Sequence, residues 1–192
     1  AIPVVIFGVT SVGFASLGYQ PELSRLPDPL TTFLPALIGL SLIAGLGEEP
    51  GWRGFALPRF QAKYGPLSAT ILLGSVWAIW HLPLLAVDPR ASHGITDPLV
   101  LAGLFTLTAI GILLYAFFYT WVYNHTDRSV LAAALFHFAG NVSGELLNAP
   151  ASVYAYETYL TAALVLVVLW GWGAGTLCDR VAEPEDVSPF AP

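Results

Sequence analysis

The sequence predicts an all-α, polytopic membrane protein: a bundle of about six transmembrane helices with a polar cavity inside the membrane. Three observations carry this. Hydrophobic residues make up 56% of the 192 and charged residues 10%, against about 25% charged in an ordinary soluble domain. Uncharged stretches recur at about the 20 residues a helix needs to cross a bilayer. None of them shows the alternation a barrel strand requires. With a norm of roughly 150 residues per domain, residues 1–192 form a single transmembrane domain.

The expected spans follow in order. Ala1 to Pro21 and Pro29 to Gly47 carry no Asp, Glu, Lys or Arg, and Tyr64 to Val87 is a third such run. Pro98 to Thr126 is a fourth, long enough to cross with tilt. A shorter segment from Ser129 extends past Glu145 to about Asn148, and Thr158 to Cys178 closes the set. The connectors Gln20–Pro29, Asp88–Asp97, Asn124–Arg128 and Asn148–Ser152 are short and turn-rich, and the last dozen residues read as a frayed polar tail. The first run lacks the basic start of a signal peptide and is expected to be a true span.

Charge and cysteine content exclude other classes. Seven Lys+Arg against 13 Asp+Glu leave a net charge of -6, which offers no surface for nucleic acid. The single cysteine, Cys178, excludes an internal disulfide and any all-thiolate zinc site, and it has no partner that would make it a nucleophile. With both termini on one side, Arg53, Arg59, Lys63, Arg128 and Arg180 share that side against Arg25 and Arg90. The imbalance favours cytoplasmic termini and a cytoplasmic loop around residues 50–65, in the plasma membrane if the source is prokaryotic.

Polar groups at membrane depth are costly, so they point to function. The first cluster is Glu48-Glu49-Pro50-Gly51-Trp52-Arg53. Adjacent carboxylates repel and share protons. Pro50 and Gly51 interrupt the helix, and a proline suits the first residue of a new one. At about 100° per residue, Arg53 lies about 40° from Glu49 and about 140° from Glu48. Arg53 therefore neutralises Glu49 at i,i+4 spacing and leaves Glu48 pointing elsewhere.

The second cluster, Trp77-Ala78-Ile79-Trp80-His81, lies deep in an uncharged run, and Pro83 loosens the helix beside it. In the third, His137, Asn141 and Glu145 fall at i, i+4 and i+8 and form one polar stripe. Each cluster has a bland reading: a charged helix end, a core histidine, interhelical hydrogen bonding. His93 and His125 read as solvated loop residues, and Gly171 to Gly175 as a small-residue packing face.

Taken together, the three motifs resemble the CPBP family of intramembrane endopeptidases, the CAAX prenyl protease and bacteriocin-processing (Abi) group. Its Glu-Glu-x-x-x-Arg, aromatic-x-x-x-His and His-x-x-x-Asn patterns stand here as Glu48 to Arg53, Trp77 to His81 and His137 to Asn141. Trp77 takes the place of the usual Phe. The resemblance covers residues 33–147, the expected catalytic core.

The resemblance implies peptide-bond hydrolysis on a membrane-bound or prenylated peptide. Such a reaction needs an activated water, a stabilised oxyanion and a protonated leaving amine. By resemblance Glu48 activates the water, His81 holds it, and His137 and Asn141 donate to the oxyanion. Glu49, Arg53 and Trp77 support them. No cofactor is expected. The alternative is a zinc site of Glu48, His81 and His137, an acceptable catalytic donor set, although no His-Glu-x-x-His pattern accompanies it. A solute or proton path, and a silent membrane scaffold or immunity protein, are the non-enzymatic readings. The first lacks the repeated broken helices of transporters. Glu48→Gln separates the second, since it removes proteolysis and spares partner binding.

Overall fold

A computed structural model of the chain describes residues 34–87, 95–147, 151–175 and 177, with side chains described at 35, 37–83, 95–142, 158–175 and 177. The expected first span, the polar tail, Arg25, Arg90, His93, Cys178 and Arg180 lie outside the described residues, as does the side chain of Glu145.

Every element among the described residues is helical. They run α1 (Leu34–Glu49), a π-helical segment (Pro50–Ala56), α2 (Leu57–Val87), α3 (Pro98–His125), α4 (Val130–Leu147) and α5 (Ala151–Trp172). Helix α1 packs against α4, α2 against α3, and α5 against α3, while the π-helical segment touches α1, α2 and α4. Two stretches, Leu37–Pro83 and Pro98–His125, are long and apolar enough to cross a membrane; Val130–Val142 and Thr158–Trp172 are shorter apolar helices. Ile43, Ile79, Leu99 and Trp170 stand on the outside with more than half of their surface exposed. Outward large apolar groups in this number suit lipid, not water.

The loop expected around residues 50–65 is helical instead. Pro50 has no N–H to donate back along α1, yet its fixed backbone is already helical, so the chain widens its winding instead of stopping. Glu49 itself keeps helical dihedrals, φ -63° and ψ -33°. The interruption comes later, at Gly65, where φ is 76° and ψ 167°. A side chain there would be strained, and Pro66 then restarts the helix.

Local chemistry sets the other boundaries. Asp97 caps α3, its Oδ1 accepting from the N–H groups of Leu99 (2.8 Å) and Val100 (3.1 Å), with Pro98 at the first position. Between α3 and α4, Asp127 and Arg128 adopt left-handed backbone (φ 53° and 61°), and the Ser129 hydroxyl accepts from Ala132 N–H at 3.1 Å. This tight turn makes α3 and α4 neighbours. Helix α5 ends at Trp172 because Gly173 takes φ 72°. The expected small-residue packing face is thus split by a helix end, and a Cβ on Gly171 or Gly175 would meet nothing within 4 Å. His125 is likewise not a loop residue: it ends α3, bonds the Trp121 carbonyl through Nδ1 (2.9 Å) and packs against the rings of Trp121 and Trp172.

Two contacts fix the helices that carry the motifs. Thr70 donates to the Pro66 carbonyl (2.8 Å), and its oxygen shares a hydrogen bond with the Thr120 hydroxyl (2.9 Å), tying α2 to α3. Gly45 lies against α4, where a Cβ would come within 2.7 Å of the Ala134 carbonyl oxygen. Only a hydrogen lets the two backbones come this close, one turn before Glu49 and one turn before His137.

Candidate active site

The structure brings the three motifs together and treats the two adjacent carboxylates in opposite ways. Glu49 is sealed, at 0% exposure, and Arg53 beside it at 1%. Arg53 Nη1 donates to Glu49 Oε1 at 2.9 Å. The wider π winding moves Arg53 around the axis relative to an α-helix, yet the four-residue contact expected from spacing is the one that forms. The same oxygen binds His137 Nδ1 at 2.8 Å, from α4. A carboxylate held by a guanidinium can only accept, so His137 Nδ1 carries its proton and Nε2 is left for other work.

Aromatic rings close this cluster. Arg53 Cζ lies 3.9 Å from the centre of the Tyr119 ring and 4.5 Å from that of Trp77. Both rings also meet His137 edge-on, with centroids 5.6 and 5.7 Å away. Arg53 Nε and Nη2 and Glu49 Oε2 have no hydrogen-bond partner among the described residues. The π faces therefore replace the water that a buried guanidinium has lost.

Glu48 faces the other way and stays half-buried, its Oε2 accepting from Trp77 Nε1 at 3.0 Å. Trp77 also offers its carbonyl to His81 Nδ1 (2.8 Å), and the two rings stand edge-to-face at 5.4 Å. A carbonyl too can only accept, so His81 Nδ1 carries a proton, and Nε2 has no hydrogen bond among the described residues. Trp80 flanks His81 on the exposed side at 5.0 Å. Asn141, half-buried, follows His137 by one turn of α4.

Trp77 is thus the shared piece: it holds Glu48 by its N–H, His81 by its carbonyl, and Arg53 and His137 by its ring. Among the described residues no hydrogen bond joins Glu48, His81, His137 and Asn141 to one another. A cavity of about 160 Å³ lined by Leu107, Tyr115 and Thr161 lies between α3 and α5, away from all three motifs.

Of the expected zinc donors, Glu48 Oε2 accepts from the Trp77 indole N–H, His81 Nδ1 bonds the Trp77 carbonyl and His137 Nδ1 bonds Glu49. Among the described residues no group of three or more His, Cys, Asp or Glu side chains could hold a metal ion.

Sequence spacing did not reveal Tyr119. It sits in the uniformly apolar run Phe117-Phe118-Tyr119 on α3, a helix that bears no motif, and nothing along the chain sets it apart from its neighbours. Nor did it reveal that Glu49 holds His137 as well as Arg53, because the partners are 88 residues apart.

Comparison with known proteins agrees with the motifs. The profile described as type II CAAX prenyl endopeptidase Rce1-like matches residues 30–143. The CAAX prenyl protease 2 of Methanococcus maripaludis is 34% identical over 143 residues, which are 71% of this chain and 51% of that protein. The chain spans about half the length of this curated relative.

Proposed function

We propose that this chain, which belongs to the Rce1-like family of type II CAAX prenyl endopeptidases, is an intramembrane endopeptidase that cleaves a membrane-bound, prenylated peptide with water activated by Glu48. The observation that supports this best is the division between the carboxylates. Glu49 is neutralised and sealed, while Glu48 keeps a partly open position with one indole N–H on it. A group held in place but not neutralised is what a general base requires.

In this reading Glu48 takes a proton from water as the oxygen attacks the scissile carbonyl, and His81 Nε2 accepts a hydrogen bond from the O–H that remains on that oxygen. The carbonyl π electrons move to oxygen. That oxyanion accepts from the Asn141 amide and from a proton on His137 Nε2, while Glu49 holds the ring through Nδ1–H. Glu48 then returns its proton to the leaving amine, the C–N bond breaks, and the acid and amine depart. Metal takes no part. The six-helix bundle, a polar cavity that opens toward the cytoplasmic side and cytoplasmic termini complete the proposal.

The test is cleavage of a farnesylated peptide ending in a CAAX box by the full chain in lipid nanodiscs, with and without strong chelator. Cleavage by the wild type, none by Glu48→Gln, and indifference to chelator are expected. Full activity in Glu48→Gln would remove the mechanism. Chelator-sensitive activity restored by zinc would replace it with the metal reading.

A further inference from the structure

Arg53 is a buried cation with few hydrogen bonds and two aromatic faces. One face, Trp77, belongs to a motif and is fixed by its own bond to Glu48. The other, Tyr119, comes from α3 and has no such hydrogen bond among the described residues. It is 4% exposed, lies nearest the guanidinium at 3.9 Å, and touches Trp77 (5.2 Å), His137 (5.6 Å) and Phe136 (4.8 Å) with edge-to-face geometry.

We infer that Tyr119 is a positioning residue: its ring face holds Arg53, and through Arg53 it fixes Glu49 and the orientation of His137. The inference rests on the proposed peptidase reading. A chain of contacts carries it. The guanidinium has one hydrogen bond among the described residues, to Glu49 Oε1. A single bond leaves a planar cation free to swing, and two rings packed against it, set at 81° to one another, restrict that motion. If the guanidinium swings, Glu49 Oε1 moves with it, and His137 loses the acceptor that holds its Nδ1–H and sets the direction in which Nε2 points. Tyr119 has almost no exposed surface, so it acts on the rate and not on substrate binding. Its face does the work, and the hydroxyl is not needed.

The closing experiment uses the full chain in nanodiscs with the farnesylated CAAX peptide. Tyr119→Phe, which keeps the face, is expected to stay within about twofold of wild type, and Tyr119→Leu to lower kcat on the order of tenfold with KM unchanged. Combining Tyr119→Leu with Arg53→Gln should cost no more than Arg53→Gln alone. Phenylalanines of increasing ring fluorination, placed at 119, keep the shape and drain the negative face, so kcat should fall in step with fluorine count. This series also decides the matter if the leucine variant does not fold. A flat fluorine series, a tyrosine-to-phenylalanine loss as large as the leucine one, or strictly additive losses in the double variant would overturn the role of the ring face. If the wild type cleaves nothing, it is the peptidase reading that fails. The coupling between Tyr119 and Arg53 is then read from melting temperatures of the same four proteins: a double variant no less stable than Arg53→Gln supports it, and additive shifts refute it.

Discussion

Glu48 and Glu49 are neighbours in the chain and opposites in surroundings. On the Glu49 side everything is closed: an arginine, a histidine N–H and two aromatic faces surround one carboxylate with no exposed surface. On the Glu48 side the groups are half-buried, Glu48 and His81 are each held at one point, and the positions without a hydrogen bond among the described residues (Glu48 Oε1, His81 Nε2, the Asn141 amide) are the ones the proposed reaction uses. The difference teaches what a doubled carboxylate is for. One acid is committed to holding a histidine and an arginine in place, so that the other can remain uncommitted at membrane depth. A single glutamate could not do both, because the partners that make burial tolerable also make it a poor base.

The largest effect that could break this contrast is on chemistry. Glu48→Gln should abolish turnover and leave the melting temperature near wild type, since an amide still accepts from Trp77; a peptidase assay beside a thermal melt checks both halves. Next comes the sealed side. Arg53→Ala leaves Glu49 in a fully buried site without its guanidinium partner, a loss of about 3–5 kcal/mol. Folded yield in detergent and denaturant midpoint should fall far below those of Glu48→Gln, and equal wild-type-like melts would contradict the assignment of structural and chemical carboxylates.

Smaller effects sharpen the comparison. Asn141→Ala removes one oxyanion donor, and kcat should fall by about 10²–10³ with residual activity still measurable. Complete loss would place Asn141 in a second role. Smallest is Gly45→Ala. Its methyl would sit 2.7 Å from the Ala134 carbonyl oxygen, so α1 and α4 must part, at a cost of about 1–3 kcal/mol. A lower melting temperature with a parallel drop in kcat is expected, because the same movement stretches Glu49 from His137.

The contrast was partly legible in the sequence, for a physical reason. Residues four apart on a helix are neighbours whatever surrounds them, so the Glu49–Arg53 contact could be read from spacing alone, and so could the shared face of His137 and Asn141. The motifs needed no coordinates to be found, because charge in an apolar run stands out. Tyr119 did not stand out, since it is an aromatic residue among aromatics and its importance lies in what stacks on it from 66 positions earlier in the chain. The helical state of residues 50–64 was also hidden. Proline and glycine usually signal a break, and only the packing of the segment against α1, α2 and α4 keeps it wound.

That winding makes the site depend on how many residues there are as much as on which ones. A π-helical segment is bonded i→i+5, the result of one more residue than an α-helix would use for the same turn. Deleting Gly51 would let the segment tighten into ordinary α winding and leave α2 close to its present facing, with Arg53 three residues after Glu49 instead of four. The wider winding is therefore what lets the segment hold one extra residue without turning α2 away from its partners.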